Sequence, residues 1–323
     1  MMTTEIYDKD QSDTFARINV SQENEYIPTD HYHAGIAVKQ QDNYLAKAVL
    51  YINKGIKYQY KNVGLVGAYE AQENEEAVRQ LFQAVEKLAK EKGLDFLIGP
   101  MNGSTWENYR FHDHPENPLF FMEMKHQSHY AKQWKSMCFQ PIAHYYSAIA
   151  TLTPRRNEKT DQVKSRLFRD GVVIRGIDMD NYEADLKKLY PFLHESFKQN
   201  FLYTPISESS FLVKYLPLQP VLKPELVQIA EHEGKIVGVL LGTDDLLNPT
   251  SKTLIIKTLA RSPERLYRGL GLVLVDEFYQ KGISGAYQQI VFAFMIDEGD
   301  ATPLSDHYNG HLLKTYTLYG KSI

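Results

Sequence analysis

The segment Arg-Gly-Leu-Gly-Leu-Val, from Arg268 to Val273, contains the residue types of a phosphate-binding turn. It follows a stretch with strand character and opens one with helix character. Backbone N–H groups at a helix start lack intrahelical partners and, together with the helix dipole, attract phosphate oxygens. Gly269 and Gly271 let a ligand approach the backbone closely, and Arg268 adds a fixed positive charge. The segment therefore predicts a pyrophosphate cradle, and an ordinary glycine-containing turn is the alternative.

Two better-known phosphate-binding loops do not match this spacing. The dinucleotide fingerprint has a third glycine at the position where this chain has Leu274. The Walker loop ends in Gly-Lys-Ser or Gly-Lys-Thr, and no such tripeptide follows Gly271. A nicotinamide-dependent enzyme is therefore disfavoured.

The elements that would position the cradle are predicted from apolar periodicity and turn residues. In the second half the pattern predicts strands over 172–177, 253–259, 289–295 and 312–319, a hairpin over 224–241, and helices over 182–197 and 269–280, with Gly282 after the last helix. In the first half it predicts strands over 44–53, 57–60, 63–69, 95–98 and 141–152, a helix from the N-cap Asn74 to a stop at Gly93, and a short helix near 130–137. The first 35 residues give no clear pattern.

The two halves show the same succession of strand, helix and strand. The interval from Val63 to Asp95 is 32 residues, and that from Leu254 to Gln289 is 35 residues. This repeat favours two α/β lobes over one large sheet. The predicted boundaries are 1–153 for the N-terminal lobe, 154–170 for a charged linker and 171–323 for the C-terminal lobe.

Composition excludes several classes of protein. The chain has 323 residues, a net charge of −4 and one cysteine, and 43% of its residues are hydrophobic. It can bury a core, it lacks the basic excess of a nucleic-acid binder, and it cannot form an intrachain disulfide or a multi-cysteine zinc site. No apolar run of about 18 residues and no signal-peptide pattern is present, so a cytoplasmic location is expected.

Arg268, Gly271 and Val273 occupy the three defining positions of the Q/R-x-x-G-x-G/A motif, and the chain here resembles the GNAT acetyltransferase superfamily. Val273 departs from the usual Gly or Ala and is expected to crowd the cofactor or shift its binding. The resemblance covers about residues 171–323. It includes Lys257–Glu264 as the family's fourth strand and turn, Ile290–Met295 as its fifth strand, Pro303–Gly310 as its short helix and Tyr316–Lys321 as its closing strand.

The resemblance implies a fold class and a co-substrate. It implies an α/β (α+β) fold with two GNAT-like lobes, each a mixed, mostly antiparallel sheet flanked by helices. Acetyl-CoA or a related acyl-CoA would bind the C-terminal lobe, with the pantetheine arm on Leu259 and Ala260 and Arg261 nearby. The pyrophosphate would contact the amides of Arg268, Gly269, Leu270, Gly271, Leu272 and Val273.

The family's catalytic groups are less well matched. Many members place a tyrosine four residues before the glycine that ends the short helix, where it protonates the departing thiolate; here that position is Asp306. Tyr308 is the candidate acid, and its alternative role is to pack the helix as an aromatic side chain. Glu298 is the candidate base, and its alternative is a solvated loop carboxylate.

The N-terminal half resembles the same superfamily more faintly, through residues 99–104 and 139–146. Its cradle position, residues 71–76, carries three carboxylates and no glycine pair. Because these charges would repel a pyrophosphate, the lobe is expected to be degenerate and not to bind coenzyme A in the family manner.

Other clusters carry weaker signals. His112, His114, His126 and His129 could ligate a metal, but their spacing is not that of a known site, and no metal is expected. Cys138 is expected to be a small buried filler.

The predicted function is acyl-CoA-dependent N-acyl transfer by direct attack of an amine, and the acceptor is a small molecule or a peptide. One alternative is a non-catalytic binding protein of the same fold, motivated by Val273 and Asp306. A further alternative is a tRNA-dependent aminoacyltransferase, which the net charge disfavours because RNA binding demands basic surface. Neither a nucleic-acid nor a membrane partner is expected.

Overall fold

The computed structural model describes residues 1–21, 26–114, 116–297 and 302–323. The strands are β1 (Met2–Tyr7), β2 (Tyr32–Gln40), β3 (Asn43–Tyr51), β4 (Lys57–Tyr58), β5 (Lys61–Ala71), β6 (Phe96–Gly99), β7 (Phe111–His112), β8 (Gln140–Thr151), β9 (Val173–Gly176), β10 (Val227–His232), β11 (Lys235–Asp244), β12 (Thr253–Arg261), β13 (Gln289–Ile296) and β14 (His311–Ser322). The helices are α1 (Ser12–Ala16), α2 (Glu75–Glu91), α3 (Tyr130–Ser136), α4 (Glu158–Arg169), α5 (Tyr182–Phe197), α6 (Glu208–Tyr215), α7 (Leu270–Ser284) and α8 (Thr302–His307). Within the described ranges, none of these helices has the length and apolarity that crossing a membrane requires.

The strands form one mixed sheet. Its order is β1-β2-β3-β5-β6-β14-β8-β13-β12-β11-β10-β9, with β4 beside β5 and β7 beside β14. The pairs β5–β6 and β12–β13 are parallel, and the other pairs are antiparallel. The expected mixed, mostly antiparallel sheet with flanking helices is confirmed, but the preference for two lobes over one large sheet is wrong, because the strands of both halves belong to one sheet. The sequence did not show that the lobes join edge to edge.

Two long strands at the centre of the sheet are exchanged between the halves of the chain. β8 lies in the first half of the sequence but pairs with β13 of the second half. β14 ends the chain but pairs with β6 of the first half. β8 and β14 also pair with each other from His311↔Ile149 to Gly320↔Gln140. Each half therefore supplies the strand that covers the other half's open edge.

Helix α2 shows how local sequence sets an element in the first half. The Asn74 side chain caps the helix by accepting from the Ala77 N–H at 3.0 Å. Val78, Leu81 and Val85 form the buried face. The chain leaves the helix through Gly93, whose φ of 69° favours glycine. These features confirm the predicted start, face and stop.

Residues 154–170, predicted as a linker, are mostly helix α4. Asn157 caps the helix by accepting from the N–H groups of Lys159 and Thr160. Leu167 is fully buried in the core of the second lobe, and Lys164 forms an ion pair with Glu277 of α7. The charged residues that suggested a linker thus flank an apolar stripe that packs on the second lobe.

Two single-residue expectations are corrected. Cys138 is exposed rather than buried, because it follows α3 in a left-handed conformation with φ of 66°. Gly282 lies inside α7 and does not end it. A Cβ there would approach Leu152 and Leu254 to 2.9 Å, so this glycine serves close packing of the helix on the sheet.

A segment of the first half, residues 117–125, crosses to the second lobe. Phe120 packs with Ile255 and Val291 of β12 and β13. Its backbone is held by the Phe121 N–H, which donates to Asp245 at 2.9 Å. The Lys314 Nζ donates to the Pro118 carbonyl at 2.9 Å and to Glu123 at 2.8 Å. This crossing places Glu123 against β14, where Lys314 and Tyr316 donate to its carboxylate.

The Lys314–Glu123 pair yields a stability prediction, since the two side chains are only 0% and 1% exposed. Lys314→Met leaves the Glu123 carboxylate buried without its cation, so we expect a loss of about 3–5 kcal/mol in the free energy of unfolding by urea titration. The matched control is Lys187→Met, which breaks the exposed pair with Glu183 and should change stability by less than about 0.5 kcal/mol. Equal losses in the two variants would contradict the assigned role of the buried pair.

Candidate functional site

The strands β12 and β13 separate halfway along their length. They pair in parallel from Thr253↔Gln289 to Ile256↔Phe292 and no further. At this point β11 pairs Gly242 with Ile256 and Leu241 with Thr258, which leaves Lys257 as the extra residue of a β-bulge. The gap between residues 257–261 and residues 293–296 is called the split here.

A second bulge lies on the other wall of the split. Where β13 meets β8, Phe292 pairs with Ala148 and Met295 pairs with Tyr146, so Phe294 belongs to the extra stretch and has φ of 58°. The Phe294 N–H donates to Ser147 Oγ at 3.1 Å. The Lys257 Nζ lies 4.0 Å from the centroid of the Phe294 ring. The two bulges therefore aim their side chains into the same space.

Arg110 enters this space from the first half of the chain. The residue is 7% exposed, and it has φ of 67°. Its guanidinium carbon lies 4.2 Å from the Tyr109 ring centroid, 4.3 Å from Tyr145, 4.7 Å from Phe294 and 5.7 Å from Tyr316. Such contacts between a cation and aromatic faces are attractive. Arg110 and Lys257 thus share the ring of Phe294.

Both cations line a small cavity of about 40 Å³. Its other lining residues include Glu107, Tyr109, Met122, Glu123, Phe294 and Tyr316. The two lining carboxylates are engaged elsewhere: Glu107 pairs with Lys214 at 2.8 Å, and Glu123 pairs with Lys314. Across the described ranges, neither Arg110 nor Lys257 has an ion-pair partner. The cavity therefore holds uncompensated positive charge.

The environment lowers the pKa of Lys257 to about 7. Burial is the largest cause, the positive charges of Arg110 and Lys214 add to it, and Glu123 opposes it. A lysine with this pKa is substantially neutral near physiological pH, so it can accept a proton. A perturbed pKa in a cleft is also a marker of functional sites.

The predicted cradle lies where α7 begins. Gly269 caps the helix with φ of 88°, and a Cβ there would lie 2.7 Å from Val163 of α4. By contrast, a Cβ at Gly271 would meet only Leu259 and Arg261, at 3.8 and 3.9 Å. Packing within the protein thus requires glycine at 269 and not at 271, where the open space suits the approach of a ligand.

The other predicted cofactor residues surround this open space. Arg268 is exposed, and its carbonyl accepts from Arg166 of α4 at 2.6 Å. Leu259, Ala260 and Arg261 pair with β11 on one side and have no β13 partner on the other. Leu270 and Val273 are fully buried, whereas Leu272 is partly buried. The sequence predicted that Val273 would crowd the cofactor or shift its binding. In the structure its side chain lies in the core and does not enter the cradle.

The predicted acid, Tyr308, is not brought to the split. Tyr308 is 2% exposed, and its ring lies 5.0 Å from Tyr279 and 5.8 Å from Phe292. Burial raises the pKa of its hydroxyl, which has no hydrogen-bond partner among the described residues. This placement matches the aromatic packing role. Asp306 is exposed on α8, and Glu298 lies outside the described residues.

The first lobe closes the equivalent gap with its own chain. β5 and β6 pair only from Val63↔Phe96 to Leu65↔Ile98. Beyond this point the Met101 N–H donates to the Val66 carbonyl at 2.9 Å, and Asn102 Oδ1 accepts from the Ala68 N–H at 2.7 Å. Residues 101–102 therefore fill the space between the two strands.

A larger cavity of about 810 Å³ lies over β8 and β14, between α3 and α8. His112 lines it, and the rings of His112 and His126 lie 3.9 Å apart. His126 Nε2 accepts from the His112 backbone N–H at 2.9 Å, and its Nδ1 contacts the Gln127 carbonyl at 3.0 Å. No group of three His, Cys, Asp or Glu side chains in the described part of the chain is arranged to hold a metal ion.

Sequence reasoning missed the residues that converge on the split. Lys257 carried one signal, a charge directly after the apolar run Leu254–Ile256. Arg110 and Glu123 carried none, because they lie in a stretch without periodicity. Their neighbours come from strands of both halves, and only the tertiary structure brings them together.

Comparison with known proteins supports the fold. No protein-family model matches the chain. A bacterial ceramide synthase from Caulobacter vibrioides (strain NA1000 / CB15N) is 25% identical over 188 residues, which cover 55% of this chain and 47% of the relative. The chain thus spans about half the length of the curated relative that it matches.

Solved structures match over the whole chain. A tandem GNAT protein from the clavulanic acid biosynthesis pathway has a TM-score of 0.51 and 10% identity, and the match covers 100% of this chain and 98% of that one. The GCN5-related glucosamine N-acetyltransferase region of a fungal multi-domain GH3 β-N-acetylglucosaminidase has a TM-score of 0.57 and 12% identity; the match covers 99% of this chain and 38% of that one. At this identity the matches establish the fold: the chain has the fold of the GNAT superfamily, repeated in tandem, as predicted.

The stacked histidines yield a prediction for stability against pH. Burial is the largest cause that lowers the pKa of His112 to about 3 and that of His126 to about 4. The unfolded chain protonates these rings near pH 6.5, so stability falls as pH drops below 6.5, by up to about 1.4 kcal/mol per pH unit for each ring. Urea titrations between pH 7 and 5 measure this slope. We expect His112→Leu to reduce it and the exposed His311→Gln to leave it unchanged; an unaltered slope in His112→Leu would refute the assignment.

Proposed function

We propose that the protein transfers an acyl group from an acyl-CoA thioester to an amine, and that the C-terminal lobe carries out the transfer. The observation that carries this proposal is the split, which opens at the Lys257 bulge and lies beside the cradle at the start of α7. Acyl transfer is also the activity described for GNAT-fold neighbours. The fold alone does not assign a substrate.

The described residues fit coenzyme A. The free edge of Leu259 and Ala260 can hydrogen-bond the amides of a pantetheine arm as an added strand would. The open space at Gly271 admits a pyrophosphate to the first N–H groups of α7, and the exposed Arg268 supplies positive charge there. The thioester would then lie in the split near Lys257.

The transfer needs a neutral amine. Lys257 Nζ takes one proton from the acceptor ammonium, and the nitrogen lone pair attacks the thioester carbonyl carbon. The C–N bond forms and the C–S bond breaks, and the thiolate takes up the second proton that the nitrogen loses. The products are an amide, the free thiol and a protonated Lys257, which returns its proton to solvent. A backbone N–H at the split would stabilise the developing oxyanion.

The curated relative supports an amide-forming reaction, because its name describes a synthase of ceramide, an N-acylated lipid. The matched region covers about half of that protein, so its lipid acceptor is not assigned to this chain.

A second candidate is a binding protein that holds acyl-CoA without turnover. The specific observation in its favour is that the described structure places the candidate acids of the short helix away from the split: Tyr308 is in the core, and Asp306 lines the larger cavity. Binding of acetyl-CoA without thiol release in the presence of any amine would support this candidate.

The role of Lys257 predicts a pH–rate profile. Because the neutral amine is the active form, thiol release should rise with pH through an apparent pKa near 7 and level off above 8. Lys257→Met should lower kcat by about 100-fold or more and remove this limb. The exposed Lys235→Met is the matched control and should retain the wild-type profile. An unchanged limb in Lys257→Met would exclude Lys257 as the base.

The two cradle glycines give a second test, by calorimetry with acetyl-CoA. Gly271→Val should remove binding while the free energy of unfolding changes by less than about 1 kcal/mol, because the added side chain fills ligand space. Gly269→Ala should instead lower stability by about 1–2 kcal/mol, because φ is positive there. Arg268→Glu should weaken binding through its charge. Wild-type affinity in Gly271→Val would show that the cofactor does not bind this cradle.

A further inference from the structure

We propose that the acceptor carries a carboxylate close to its amine, and that Arg110 binds this carboxylate. The substrate class is thus an amino acid or a similar amino-carboxylate. The inference rests on the proposed function, because it assigns the acceptor of that same site.

The lining of the small cavity carries an excess of positive charge. Glu107 and Glu123, the two carboxylates in its lining, are neutralised by Lys214 and Lys314. The guanidinium of Arg110 therefore lacks a counter-ion in the described structure. Burial of a cation without an anion is unfavourable, and contacts with aromatic rings offset this by only about 0.5–2 kcal/mol each. An anionic group of the substrate would complete the site.

The guanidinium of Arg110 has hydrogen-bond donors that a ligand could use. One Nη1 donor of Arg110 is used, in a bond to the Tyr109 hydroxyl at 2.8 Å. The guanidinium also hydrogen-bonds the Tyr145 side chain, and two such bonds leave part of its five N–H donors for a ligand. The four surrounding rings restrict the plane of the guanidinium, and a fixed planar fork of donors matches a carboxylate with two parallel hydrogen bonds.

The size of the small cavity and the positions of its two cations suit a carboxylate. A cavity of about 40 Å³ has room for roughly three water-sized groups, which matches the three non-hydrogen atoms of a carboxylate. Arg110 and Lys257 lie 4.7 and 4.0 Å from the centroid of one ring, that of Phe294. An amine that contacts Lys257 and a carboxylate that contacts Arg110 must therefore lie only a few bonds apart.

The arrangement also explains why two lobes are needed. Arg110 belongs to the first half of the sequence and Lys257 to the second. Tyr145 of β8 and Tyr316 of β14, which contact Arg110, are direct partners across the central pair of strands. The acceptor site is thus composite, although the cradle belongs to one lobe.

The test measures thiol release from acetyl-CoA and from octanoyl-CoA. The acceptors are the twenty amino acids and, for comparison, the amide of each amino acid. We expect at least one amino acid to exceed its amide by 10- to 100-fold in kcat/KM, mainly through KM. Arg110→Met should remove this preference, and Arg110→Lys should keep part of it. The matched control, Arg79→Met, removes an exposed arginine paired with Glu76 and should retain the full preference.

Several outcomes would overturn the inference. Equal rates with amino acids and amides would do so, as would a preference that survives in Arg110→Met. A fall in kcat that is the same for acids and amides would assign Arg110 to the oxyanion instead, and would also overturn it. If a urea titration shows that Arg110→Met is not folded, wild type is compared with Arg110→Lys instead. A partial loss of the preference for amino acids would then support the inference, and an undiminished preference would overturn it.

Failure of the proposed function is distinguishable from failure of this inference. If no amine releases thiol, calorimetry with N-acetyl amino acids and N-acetyl amino acid amides tests Arg110 directly. Suppose that the N-acetyl amino acids bind, that their amides do not, and that Arg110→Met loses this binding. That result would support the carboxylate site in a protein without turnover. Equal binding of both sets, or binding of neither, would overturn it.

Discussion

The antiparallel pairing of β8 with β14 joins the two halves of the molecule, and the candidate site depends on it. The pairing places Tyr145 opposite Tyr316, and both rings contact Arg110. Ser147, on β8, accepts from the Phe294 N–H and lies 3.0 Å from the Tyr316 hydroxyl. The two strands that join the halves of the sheet therefore also line one side of the split.

In both lobes a parallel pair of strands separates partway along its length, but the space that opens is occupied differently. In the first lobe, β5 and β6 separate and leave the Ala68 N–H without a strand partner. Asn102 Oδ1 accepts a hydrogen bond from this N–H. That lobe also pairs its buried Lys47 with Glu70 at 2.8 Å, and the Lys47 Nζ donates to the Ile18 carbonyl at 2.6 Å. In the second lobe the separated strands are not filled, and Lys257 has no such partner. A buried lysine without an anionic partner is costly to keep charged, so burial lowers the pKa of Lys257 instead.

Helix α4, which connects the two halves of the chain, packs against the candidate cradle. Its Val163 packs against Gly269, and its Arg166 donates to the carbonyls of Leu266 and Arg268. These contacts fix the turn before α7 from outside and leave the Gly271 side open. The chain between the lobes therefore stabilises the cradle, so the two predicted lobes are not independent of the segment between them.

The sequence by itself determined the local elements, including the helix start at which the cradle is predicted. Asn74 and Gly93 set the ends of α2, and the glycine pair marked the start of α7, because caps and turns depend on neighbouring residues. It did not determine the exchange of β8 and β14, because strand pairing is a long-range backbone interaction that side-chain periodicity does not encode. It also did not identify Arg110 as a partner of Lys257: the properties of both residues come from burial and from rings contributed by distant segments, and these exist only in the tertiary structure.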